Sequence, residues 1–305
     1  MNSPEILSER DNKKVRRIFV AVVFLIISIF SERTLQSQTA DGSHAKSDSV
    51  RISYPKLYAF GGIVLAGGIA VHFTRYEPLW KEHFAPFKFR EDLSYAKNQD
   101  KLLHFFGGTV GSRESARAFE SIGYKERESV LYGAIISLSF LTFMKIEDGY
   151  IDYLGFDRVD ELANLLGSGY PLAQSYFPSL RSFTPKASYV ASGNQVVARE
   201  QSLPGFLEDH QGQKFWMGIT VHDLLPERVR YLWPSILGIA VGYTVRELNT
   251  PRPYHETIIA LDLDLRKMPG DSPFLRTVWE TLNYIHLPMP AIRISPSVVW
   301  YGLYF

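Results

Sequence analysis

The chain has 305 residues with a formal net charge of +1, enough to bury one large core or two small ones. Lysine and arginine are scattered beyond the first twenty residues, with no basic stripe carrying interleaved aromatics, which excludes nucleic acid as a partner. The absence of cysteine excludes disulfides, thiolate metal sites, a cysteine nucleophile and an acylated cysteine, while 14% aromatic residues suit contact with a membrane interface.

Near the N-terminus, Lys13, Lys14, Arg16 and Arg17 precede a thirteen-residue uncharged, mainly apolar run, Ile18 to Phe30. That run is shorter than the roughly 20 residues of a comfortable membrane span and fits an export signal, either cleaved near Ala40 or retained as an anchor. Residues 31–50, rich in Ser, Gln, Thr, Asp and Lys, read as a linker. Leu57 to Phe73 is an uncharged helical run whose Gly62, Ala66 and Ala70 form a small-residue stripe, and His72 reads as an interfacial or capping side chain. Arg75 to Gln99, with Pro78 and Pro86, is expected to cross a surface rather than enter a core.

Asp100 caps a predicted helix running from Lys101 to about Phe119, in which Gly107, Gly108 and Gly111 imply close backbone packing. Val130 to Met144 forms another apolar helix, and Asp157 is the N-cap of a third that Pro171 and Pro178 should end. Beyond Phe183 the pattern changes to alternation. Ala187–Ala191, Phe215–Val221, Ile259–Leu265 and Val298–Phe305 read as short strands, with an apolar helix from Tyr231 to Val245 between them. Asp262 and Asp264 share a strand face whose default is solvent, and His210, His222 and His255 read as solvent-facing. The ending Trp300, Tyr301, Tyr304, Phe305 is similar to the last strand of outer-membrane barrels, but too few long alternating segments exist to close eight strands, so it is expected to dock on the helices.

Two polar clusters interrupt the helix-period apolar sequence. One is Asp100, Lys101 and His104; the other is Glu147, Asp148, Asp160 and Asn164, with Gly167 one turn on. Ionisable groups on an apolar face cost several kcal/mol unless they are paired, so the clusters form either an internal polar lock or a working site. In a catalytic site His104 would serve as general base or metal ligand, with Glu147, Asp148 and Asp160 as carboxylates and Lys101 as an electrostatic clamp. Such a set could hold Zn, Mn or Fe and hydrolyse an envelope phosphate or ester. No His-Glu-x-x-His spacing and no nucleophile elbow supports this, and the structural reading is preferred. In that reading Lys101 neutralises Glu147, Asp148 or Asp160, while His104 and Asn164 satisfy the others.

The ordered set Asp100-Lys101-Leu102-Leu103-His104, Lys145-Ile146-Glu147-Asp148-Gly149 and Gly155-Phe156-Asp157 through Asp160, Asn164 and Gly167-Ser168 resembles the YfiM-like family of periplasmic or envelope proteins of unknown function, and more distantly VanZ-like membrane proteins. Asp157 stands where that pattern has Ser, and either residue caps a helix. The resemblance implies place and fold rather than chemistry.

The expected fold is mainly α: a membrane-associated helical bundle with a small β-containing C-terminal region. Residues 1–50 would form the signal or anchor plus linker, 51–180 the bundle with its polar cluster, and 181–305 a mixed region packed on the bundle. The expected role is that of a cell-envelope scaffold or a module that binds membrane lipid or an envelope protein. No cofactor is expected, and a divalent metal enters only with the hydrolase alternative, through His104, Glu147, Asp148 and Asp160.

Overall fold

A computed structural model describes residues 52–91, 93–192, 206–207, 209–270 and 272–305. The signal or anchor and linker expected within residues 1–50 lie outside the described residues. The chain divides into two compact units, and helices α3 (Gln99–Ile122) and α5 (Arg158–Tyr176) each begin in one unit and end in the other.

The first unit comprises the described residues up to Glu91 and Gly111–Glu161. Helix α1 (Tyr54–Val71) continues through a π-helical turn, His72–Tyr76, into α2 (Glu77–His83). Helix α4 (Glu126–Asp148) begins where Glu128 accepts a hydrogen bond from the Lys125 amide (3.4 Å), and the acidic first turn suits the positive end of the helix dipole. Gly133 lets α4 approach α3 closely, since a Cβ there would lie 2.7 Å from the Ala116 amide nitrogen. Asp157 caps α5, its Oδ1 accepting from the amides of Val159 (2.7 Å) and Asp160 (3.3 Å). One apolar cluster gathers Tyr76, Trp80, Phe143 and Ile151, and a second gathers Leu57, Phe119, Ile122 and Tyr132. Two helical stretches, Tyr54–His83 and Glu126–Asp148, are long and apolar enough to cross a membrane by length and composition.

The second unit holds residues 93–110 and Leu162–Phe305. Its centre is a six-stranded antiparallel meander in chain order: β1 (Phe183–Tyr189), β2 (Gln213–Ile219), β3 (Leu237–Arg246), β4 (Tyr254–Leu263), β5 (Met289–Ser295) and β6 (Val299–Tyr304). Helix α6 (Pro273–Leu282) starts where Ser272 Oγ accepts from the Leu275 amide at 3.1 Å. The segment after it pairs with the free edge of β1 through Ala187 N to Tyr284 O (2.8 Å) and His286 N to Ala187 O (2.9 Å).

The register aligns Lys186, Trp216, Gly242, Ile258 and Arg293 across the sheet, so these residues share a face with Lys214, Arg246, Glu256 and Asp262. On a flat sheet β2 and β6 would stand about 19 Å apart, four steps of roughly 4.8 Å. The rings of Trp216 and Tyr304 nevertheless lie 6.1 Å apart, so the sheet curls strongly around this face. Small residues line the middle of the curl, Gly218, Ala240, Gly242, Ala260 and Ala291, which leaves room for Trp216 and the aromatics of β6.

These strands correct the expected mainly α fold with a small β region; the protein is a mixed α/β structure in which the sheet is a principal element. Tyr231 to Val245 is not a helix. Leu237, Ile239, Val241, Tyr243 and Val245 occupy one face of β3, while Gly238, Ala240, Gly242 and Thr244 occupy the other. A run of uncharged residues therefore hid a period of two. The last strand pairs with β5 as a sheet edge instead of docking on helices.

Pro171 lies inside α5 and does not end it. Proline cannot donate to the carbonyl four residues before it, and Thr109 Oγ1 donates to that carbonyl, Gly167 O, at 3.2 Å. The stretch after Arg75 enters the core through Tyr76 and Trp80, and Gly62, Ala66 and Ala70 are exposed.

Candidate functional site

In the first unit the last turn of α4 presents Lys145, Glu147 and Asp148, all buried. Lys145 Nζ lies 3.0 Å from Asp148 Oδ2 and 2.9 Å from Asp160 Oδ2, so one ammonium bridges two carboxylates. Burial works against that charge, but the two carboxylates outweigh it and the lysine pKa is raised. Tyr76 OH donates to Asp148 Oδ1 (3.0 Å) and to the Met144 carbonyl (3.1 Å). Its pKa is driven well above the ordinary phenol value by burial and by Asp148, which keeps it a donor rather than a nucleophile.

His72, in the π-helical turn, faces Glu147 with Nδ1 3.0 Å from Oε1 and packs edge-on against Trp80. Burial raises the Glu147 pKa, and the hydrogen bond and charge of the histidine oppose the rise. A cation that joins Asp148 and Asp160 is Lys145, a residue that the sequence reading did not single out for that role. Its i, i+3 spacing to Asp148 is the signal that could have identified it.

In the second unit the start of α3 carries Asp100 and Lys101, joined at 2.7 Å, and His104, whose Nδ1 lies 3.0 Å from Asn164 Oδ1 on α5. Glycines bring these helices together: a Cβ on Gly108 would lie 2.7 Å from the Ser168 amide, and one on Gly167 would lie 2.8 Å from the Phe105 carbonyl carbon. Among the described residues no set of three His, Asp or Glu side chains is placed to hold a metal ion.

The curled sheet contains two further charged groups. Lys186 contacts Asp262 Oδ2 (2.8 Å), the Leu263 carbonyl (2.7 Å) and Asn283 Oδ1 (3.2 Å), while His286 stacks on Trp216 at 3.9 Å with its Nε2 4.0 Å from Asp262 Oδ1. Around Glu256 stand Arg293, Arg246 at 3.0 Å and the Tyr304 hydroxyl at 3.4 Å. Lys214 lies over the Tyr304 ring, its pKa lowered by burial to about 8. Asp262 and Asp264, expected on a solvated face, are buried, and Asp264 binds Thr220 (2.9 Å) and Arg266 (2.8 Å).

Burial, with a smaller effect from Lys186, pushes His286 down from 6.5 to about 4, although Asp262 acts the other way. Below pH 6.5 the unfolded chain therefore binds a proton that the native protein refuses, and stability falls until about pH 4. Urea titrations at pH 7 and pH 4 are expected to differ by about 3 kcal/mol more in the parent than in a His286→Gln variant. Equal pH dependence in the two proteins would show that His286 is not the group responsible.

A family model described as predicted periplasmic lipoprotein (DUF2279) matches residues 89–175. No curated protein and no solved structure matches. The matched stretch contains α3, α4 and α5 and with them Asp100, Lys101, His104, Glu147, Asp148, Asp160 and Asn164. The description agrees with an envelope location, periplasmic or membrane-associated, and names no reaction. These 305 residues include no cysteine, the residue through which a lipoprotein is acylated.

Proposed function

We propose that the protein is a non-enzymatic module of the bacterial cell envelope, akin to the YfiM-like proteins, which acts as a scaffold or binds lipid or a protein partner. Its buried ion pairs fix the packing of its helices. The supporting observation is the Lys145 bridge, in which one buried cation is matched to Asp148 and Asp160 from two helices. A metal-assisted hydrolase would need several ligands around one point, and among the described residues none are so arranged.

The reading is tested by measuring stability and metal response together. Asp160→Asn is expected to lower unfolding free energy by about 3 kcal/mol and His104→Ala by about 1–2 kcal/mol, since Lys145 loses one of its two carboxylates and the buried Asn164 loses a hydrogen-bond partner. Addition of Zn, Mn or Mg is expected to leave the melting temperature of the parent unchanged. Variants as stable as the parent, or a marked rise in melting temperature with one metal, would overturn the structural role in favour of metal-dependent hydrolysis.

A further inference from the structure

The six strands contain six charged residues, Lys186, Lys214, Arg246, Glu256, Asp262 and Arg293, and the register turns every one of them to the inner face of the curl. The opposite face of β3 to β6 carries no Asp, Glu, Lys or Arg. Val241 (43% exposed), Ile259 (38%), Ile294 (45%), Trp300 (79%) and Leu303 (64%) lie open on it. A water-soluble antiparallel sheet has the reverse partition, with its charges outward. Over β2 the same face is already covered: Phe106 of α3 packs on Phe215, and the Tyr243 hydroxyl, on the neighbouring β3, donates to the Lys97 carbonyl at 2.6 Å. The uncovered part begins beyond these contacts.

We infer that the outer face of β3 to β6 is a lipid-facing surface that seats in the hydrocarbon of one bilayer leaflet. Charges and paired polar groups turned inward, an uncharged aliphatic exterior and an exposed tryptophan near the final strand end are what a hydrocarbon environment demands of a sheet. A protein partner would leave a different mark, because interfaces carry side-chain donors and acceptors at about one hydrogen bond per 100–200 Å². Here the outward polar side chains of β3 to β6 are Tyr243, whose hydroxyl is already taken by the Lys97 carbonyl, and His255, Thr257 and its register partner Ser295, all toward one end of the sheet. Strands β3 and β4 have ten residues each, but β5 and β6, with seven and six, fall short of the roughly 9–11 residues of a tilted spanning strand, so the face they share lies in one leaflet and does not cross the bilayer.

This inference rests on the envelope reading and names the surface through which lipid would be met. The absence of native cysteine makes the test clean, because a single introduced thiol can be labelled alone. Full-length Ile259→Cys, Ile294→Cys and Leu303→Cys proteins carrying an environment-sensitive fluorophore would be mixed with phosphatidylethanolamine–phosphatidylglycerol vesicles, with Asn249→Cys in an exposed turn as control. A several-fold rise in emission and quenching by acyl-chain nitroxides are expected at 259, 294 and 303 and not at 249. If the protein floats with vesicles while these labels remain aqueous, binding comes from another segment and the inference fails. If the labels become shielded without vesicles as concentration rises, a second copy covers the face and the inference also fails. Should a labelled variant lose its native circular-dichroism spectrum, Val241→Cys replaces it. None of these readouts involves His104 or Asp160, so failure here leaves the non-enzymatic reading standing, and the stability and metal measurements can fail without affecting these.

Discussion

Replacement of Lys145 by methionine is expected to destabilise the first unit by about 3–5 kcal/mol, the cost of leaving buried carboxylates without their counter-charge. Asp148 and Asp160 each lie within 3.0 Å of the same ammonium, so its removal exposes them to mutual repulsion as well as to the unrelieved cost of burial. Tyr76 still donates to Asp148, which tempers the loss at that carboxylate. A Lys145→Met, Asp160→Asn double variant should recover a large part of the deficit, and chemical denaturation of the two singles and the double gives the coupling energy directly. Additive losses, with no recovery, would mean that the bridge does not hold α4 to α5.

Lys186→Met is expected to be nearly as damaging at pH 8, about 3 kcal/mol or more, because Asp262 is then left buried with no full positive charge beside it. The deficit should shrink on acidification. Loss of the lysine removes one of the influences that hold His286 deprotonated, so its pKa rises above about 4 and the imidazolium forms beside Asp262. A variant whose folded histidine binds its proton more readily than the parent's gains relative stability as pH falls from that raised value toward about 4. Urea midpoints at pH 8 and pH 4 for parent and variant measure this. A deficit that is the same at both values would show that the histidine does not take over the charge.

The polar helical residues were legible because each interrupts an apolar, helix-period stretch, as Glu147, Asp148, Asp160 and Asn164 do. His72 was misread because its partner, Glu147, is seventy-five residues away and nothing local announces it. His286 gives no local signal at all, since Trp216 and Asp262 reach it from other strands. The glycines of α3 were informative in part: Gly108 and Gly111 sit against neighbours, whereas Gly107 meets open space. Strand β3 was hidden because glycine and alanine on its inner face are as uncharged as the aliphatics on its outer face. Asp262 and Asp264 show a further limit, for alternation says which residues share a face but not which face is wet.

The meander order also bears on how the sheet assembles. Each strand pairs with the next in the chain, so hairpins can form in succession, with little loop-closure entropy lost at each step. The Lys186–Asp262 contact joins residues seventy-six apart and can close only when four strands are already paired. Strand registration should therefore precede dehydration of the interior charges, and an arrested intermediate would be an open sheet with wet lysines and carboxylates. Hydrogen exchange pulsed during refolding would show the β3–β4 amides protected before the Trp216 fluorescence reaches its native value.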